Sequence, residues 1–120
     1  MTVPGLKTLA QKKCKPCEGG VAPFTTEQAE QYIAGLKAWK LAEDRLSISA
    51  QYVMKDFSAA FDFMDRIREV AEADDHHPDL HLTGYRKLRI ELATHAIGGL
   101  SENDFILAAK IEQLPKVLKQ

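Results

Sequence analysis

Two hydrophobic periods alternate along this chain, and the alternation limits the folds open to it more than any other feature. Ala29, Tyr32, Ile33 and Leu36 recur at helical spacing behind Thr25-x-x-Gln28, which has the form of a capping box, so a first helix is expected from about Thr26 to Leu36. The period then drops to two. Leu46, Ile48, Ala50 and Tyr52 alternate with more polar neighbours, and with Trp39 to Ala42 on the other side of Glu43-Asp44 they read as two antiparallel strands. Asp56 is a good N-cap for the longest amphipathic stretch, in which Phe57, Ala60, Phe61, Met64, Ile67 and Ala71 recur at three and four; that helix must stop before Pro78. Leu80 to Thr83 and Arg86 to Thr94 flank Gly84 as a second hairpin. After Gly98-Gly99 breaks the chain, Ser101 caps a last helix through Phe105, Ala108, Ala109 and Ile111, ended by Pro115. The order α-β-β-α-β-β-α defines an α+β fold, with a four-stranded antiparallel sheet covered on one face by helices.

The periodic part starts at residue 25, so residues 25–120 are expected to form one domain and residues 1–24 an N-terminal arm, which ends in Gly19-Gly20 and Pro23. A chain of 120 residues can bury a core without disulfides or metals. The arm holds the only cysteines, Cys14 and Cys17. Their Cys-x-x-Cys spacing suits a metal half-site or a redox pair, yet no second cysteine pair completes a zinc site, and Glu18-Gly19-Gly20 is a poor start for a thioredoxin-like helix. A loosely attached lead whose thiols do little is the expectation. Charged residues make up 28% of the chain with a formal net charge of −1, so there is no basic field to gather nucleic acid. No run approaches the roughly 20 apolar residues of a membrane span, and Met1-Thr2-Val3-Pro4 lacks the pattern of a secretory signal. No membrane or nucleic-acid partner and a cytoplasmic location are therefore expected.

Chemistry concentrates where the long helix ends, at Glu72-Ala73-Asp74-Asp75-His76-His77-Pro78. The partial negative charge of a helix C-terminus and three carboxylates favour cationic imidazole there, so either ring can serve as a proton donor near neutrality. Pro78 pushes His77 out of the helical conformation and aims the two rings apart. A His-His pair at a helix end also has a plain reading as a solvated cap. His95 shifts the balance, because the strand alternation places it with Arg89 and Glu91, off the Leu88-Ile90-Leu92 core face, beside a glycine-rich backbone that a ligand can approach. His81 belongs to the edge of the short strand. Histidine clusters also suggest metal, but no His-Glu-x-x-His pattern is present and no metal site is expected. Glu72 reads equally as a solvated helix residue, and Asp104, third after Ser101, reads equally as part of a capping box or as support for a site.

Taken together, Glu72-x-x-x-His76-His77-Pro78, then Tyr85, then His95 after nine intervening residues and Asp104 after eight more, resemble the signature of the pterin-4a-carbinolamine dehydratase family. The resemblance spans roughly Thr25 to Leu114 and includes Phe61-x-Phe63-Met64, Gly99-Leu100-Ser101 and Ala108-Ala109; Cys14-Lys15-Pro16-Cys17 resembles the lead segment of many bacterial members. It implies a lyase that removes water from 4a-hydroxytetrahydropterin to give quinonoid dihydropterin, in tetrahydrobiopterin recycling, with no metal or organic cofactor. It implies His76, His77 and His95 as catalytic residues, and Glu72, Asp75, Pro78, Thr94, Ala96 and Asp104 as lining or supporting the substrate site. It further implies a homodimer or homotetramer and a functional link to an aromatic amino acid hydroxylase. Relatives on the same fold act as a dimerisation cofactor or an assembly chaperone, so a binding protein is the alternative.

Overall fold

A computed structural model describes residues 4–15 and 22–120. Its elements are α1 (Leu6–Gln11), α2 (Thr26–Ile33), β1 (Trp39–Leu41), β2 (Ile48–Val53), α3 (Phe57–Asp74), β3 (Asp79–Thr83), β4 (Lys87–Leu92), a short 3-10 turn (His95–Ile97) and α4 (Glu102–Gln113). The strands form one antiparallel sheet in the order β1-β2-β4-β3, so each expected hairpin is present and β2 joins β4 at the centre. In that central pair Tyr52 stands opposite Leu88 and Ile48 opposite Leu92. Alternation along β4 buries Leu88, Ile90 and Leu92 and turns Lys87 and Arg89 outward, while the edge strand β3 buries no residue fully.

The helices cover the buried face. Asp56 caps α3 by accepting the Ala59 N–H at 2.8 Å, and Ala60, Phe63, Ile67 and Ala71 then form the stripe that meets the core. Phe63 and Ile67 are wholly buried, a contribution of about 1.5–3 kcal/mol each relative to exposure. α4 is enclosed nearly all round, from Asn103 to Ala109.

Several sequence expectations change. The strand expected from Leu46 begins at Ile48, and Leu46 is 47% exposed. The first helix ends at Ile33, not Leu36, because Gly35 and Leu36 take i to i+3 hydrogen bonds to Tyr32 and Ile33 and Leu36 turns into the core. The last strand stops at Leu92, and His95 begins a 3-10 turn instead of ending a strand. The arm was expected to be loosely attached, yet Leu6, Leu9 and Ala10, spaced three and four apart, form α1, whose Leu9 is buried among the core residues. Cys14 is buried there too. Cys17 lies outside the described residues.

Candidate active site

The end of α3 is built by backbone geometry that brings His76 back toward the body of the protein. Asp75 adopts the left-handed conformation (φ 50°, ψ 43°), its N–H reaches the Glu72 carbonyl at 3.3 Å, and the His76 N–H reaches the Ala71 carbonyl at 3.1 Å. This is a Schellman ending with an aspartate in place of the usual glycine. His76 Nε2 meets Asp104 Oδ1 at 2.6 Å. Asp104 is wholly buried, and the His76 side chain is 12% exposed.

Asp104 joins three separate parts of the chain. Its Oδ2 accepts the Thr94 hydroxyl at 2.7 Å and the Ser101 N–H at 3.0 Å, so the residue both closes the capping box of α4 and holds the histidine at the end of α3. The two readings left open by the sequence describe two oxygens of one side chain. Since a carboxylate only accepts, the pairing puts the His76 proton on Nε2 and leaves Nδ1 for a ligand. On the solvent side, His77 Nε2 pairs with Glu72 Oε2 at 2.6 Å, both side chains being more than half exposed.

A cleft of about 610 Å³ opens at this junction, and Asp75, His76, His77, Thr94, His95 and Ala96 all line it. The three histidines therefore face one space. Asp104 sits behind that wall, bonded to two of its members. Glu72 and Pro78 line instead a neighbouring groove of about 280 Å³ that shares only His77 with the cleft. Tyr85 stands apart at the tip of the β3–β4 hairpin, 56% exposed and with positive φ. The glycines also differ from expectation. Gly98 takes a positive φ of 67° to end the 3-10 turn, whereas a side chain at Gly99 would meet Pro23 Cβ at 2.8 Å, so Gly99 serves internal packing and not the approach of a ligand.

Sequence reasoning missed the other cleft wall. Lys13, Cys14, Lys15 and Asn103 belong to it, and so does the buried Asp74, which forms an ion pair with Lys110. The Leu6, Leu9, Ala10 spacing was the available signal for the first three. Burial, with Asp74 close by, pushes the Cys14 thiol up to about 12, which keeps it a neutral S–H. Among the described residues no three His, Cys, Asp or Glu side chains converge to hold a metal ion, and no helix is long and apolar enough to cross a membrane.

Fold and cleft define an α+β protein with an open antiparallel sheet, whose cleft is lined by three imidazoles, two of them paired with carboxylates. A family model described as Pterin 4 alpha carbinolamine dehydratase matches residues 22–114. The chain belongs to that family. It is 47% identical over 107 residues to a Halorhodospira halophila protein provisionally named pterin-4-alpha-carbinolamine dehydratase, covering 89% of this chain and 97% of that one. It is 46% identical over 112 residues to Arabidopsis thaliana pterin-4-alpha-carbinolamine dehydratase 2, mitochondrial, covering 91% of this chain and 60% of that one. Among solved structures, the crystal structure of transcriptional coactivator/pterin dehydratase from Brucella melitensis matches with a TM-score of 0.70 at 32% identity, covering 75% of this chain and 95% of that one.

Proposed function

We propose that this protein is a lyase that dehydrates 4a-hydroxytetrahydropterin to quinonoid dihydropterin by histidine acid-base catalysis. The observation that carries the proposal is the His76–Asp104 pair at 2.6 Å on the wall of a cleft that His77 and His95 also line. In the reaction the C4a–O bond breaks, the hydroxyl takes a proton and leaves as water, and the adjacent ring nitrogen gives up its proton as the C4a–N double bond forms. Atoms and charge balance with one acid and one base, so the chemistry asks for no oxidant and no cofactor. Neutral and protonated imidazoles interconvert near pH 7 and suit both roles.

His76, with Nε2–H held by the buried Asp104, has a fixed tautomer and orientation, and we assign it to binding and aligning the pterin through Nδ1. His77 and His95 are exposed and exchange protons with the substrate. Glu72 steadies His77, and Thr94 steadies Asp104. Asp75, Ala96 and Pro78 shape the substrate site or its rim. The family names support a pterin substrate; tetrahydrobiopterin recycling, supply of substrate by an aromatic amino acid hydroxylase and a cytoplasmic location belong to the same proposal. So do a catalytic domain at residues 25–120, with residues 1–24 as an N-terminal arm that packs on it through α1, and a homo-oligomeric state. The aromatic pair Phe57 and Phe61 on α3, each 53% exposed with ring centroids 4.7 Å apart, supports self-association.

The second reading, a binding protein on the same scaffold, is favoured by the coactivator half of the name of the Brucella structure. Following the decay of synthetic 4a-hydroxytetrahydropterin with and without the protein separates the two. Acceleration over buffer supports the lyase, and a decay rate equal to that in buffer overturns it in favour of the binding protein.

A further inference from the structure

The N-terminal lysines form a charged part of the cleft for which dehydration of a pterin ring has no use. Residues 14 and 15 are clamped to the first turn of α4 by Asn103, itself buried: its Oδ1 accepts the Lys15 N–H at 2.9 Å, its Nδ2 donates to the Lys15 carbonyl at 2.5 Å, and its own carbonyl accepts the Cys14 thiol at 3.5 Å. Asn103 directly precedes Asp104, so the backbone that carries the lysines is fixed to the residue next to the one that holds His76. With Cys14 turned inward, Lys13 and Lys15 on either side of it are exposed, and both line the same cleft as the three histidines.

Charge accounting points to an anion. Lys12 is paired with Glu102, but among the described residues neither Lys13 nor Lys15 has a carboxylate partner. Among the described residues, the carboxylates that line or back the cleft are engaged or few: Asp74 is paired with Lys110, Asp104 holds three donors, and Asp75 alone of them is exposed. The cleft is of the size that accommodates a ring system with a substituent. A pterin ring is uncharged near neutrality, so it offers two unpaired ammonium groups hydrogen-bond acceptors but no counter-charge. We propose that Lys13 and Lys15 recognise an anionic side chain on the pterin, a phosphate ester or a carboxylate. This selectivity rests on the dehydratase reading and names the substrate class of that site.

Binding of stable 7,8-dihydropterins tests it without relying on turnover. Three compounds are titrated by calorimetry: one with a neutral dihydroxypropyl side chain, its phosphate ester, and one whose side chain ends in a carboxylate. Two solvent-exposed charge contacts worth roughly threefold each give the phosphate ester an advantage of about tenfold over the neutral compound. The carboxylate falls between them if charge alone is read, and the advantage shrinks as salt is raised. In the Lys13→Gln/Lys15→Gln variant the preference collapses toward unity. A control pair on the sheet, Lys40→Gln with Lys87→Gln, keeps the wild-type preference. Equal affinity for all three compounds, or a preference that survives in the Lys13/Lys15 variant, overturns the assignment while leaving the dehydratase reading intact. Failure of every pterin to bind overturns both.

Discussion

Replacing Asp104 by asparagine isolates what the buried carboxylate does. The amide oxygen can still accept from the Thr94 hydroxyl and the Ser101 N–H, which meet Oδ2 at 2.7 and 3.0 Å. The other position then becomes an NH2 group facing His76 Nε2, now 2.6 Å from a carboxylate oxygen. An amide donor there forces Nε2 to accept, which moves the ring proton to Nδ1 and turns the atom assigned to the substrate from acceptor to donor. Turnover should fall by up to roughly 10⁴-fold, the scale for turning the carboxylate that fixes a site histidine's tautomer into an amide. The hydrogen bond to His76 reverses and those from Thr94 and Ser101 lose their charge assistance, so the stability loss should be about 2 kcal/mol, or roughly 5–10 °C in melting temperature. Asp104→Ala removes all three acceptor contacts and should cost about 3 kcal/mol or more. Stopped-flow dehydration and thermal melting of wild type and both variants give the comparison. If Asp104→Asn keeps a rate within threefold of wild type while melting as expected, the tautomer argument is wrong and Asp104 acts only as a helix cap.

Three other outcomes follow from the same structure. Because burial holds the Cys14 thiol up at about 12, native Cys17→Ser protein should react with a disulfide reagent at pH 8 far more slowly than the unfolded chain; equal rates would contradict the burial. Cys14, Tyr32 and Tyr52 are all pushed up to about 12, first of all by burial, so the fold favours their protonated forms. Their contribution to stability is intact below about pH 9 and is lost as pH rises toward 12, visible as a midpoint in urea that declines across that window; a flat midpoint would refute it. Phe61→Glu puts a charge into the exposed Phe57–Phe61 pair and should move the mass measured by light scattering toward the monomer, whereas an unchanged mass would place the self-association surface elsewhere.

The sheet was legible because its signal is local. Period-two alternation at Ile48, Ala50, Tyr52 and at Leu88, Ile90, Leu92 matches the side chains that are buried, and hairpin connections leave few ways to pair four strands. Three helix starts were equally readable from side chains that cap their own backbone, at Thr25, Asp56 and Ser101, whereas α1 starts after Gly5 with no side-chain cap and was missed. Helix ends were harder: Leu36 continues the helical spacing but is captured by the core after Gly35. The site was legible in kind, since His76, His77 and His95 do share one cleft, yet two features were beyond local pattern. The link from His76 to Asp104 joins residues 28 positions apart, and nothing near either one specifies the other. The lysine wall depends on an 88-residue contact between Lys15 and Asn103, and a segment rich in Lys and Gly reads as a tail until α4 supplies its partner.

The central claim, that the cleft histidines act together as one proton-transfer unit, is tested most directly by a double-mutant cycle on His77 and His95 in the dehydration of 4a-hydroxytetrahydropterin. Both residues are exposed, so His77→Ala and His95→Ala should melt within about 2 °C of wild type. Each should lower turnover by roughly 10²- to 10⁴-fold. The double variant should lose much less than the product of the two single losses, because residues that act as a unit are not additive. Single variants that retain the wild-type rate, or losses that multiply in full, would contradict the account.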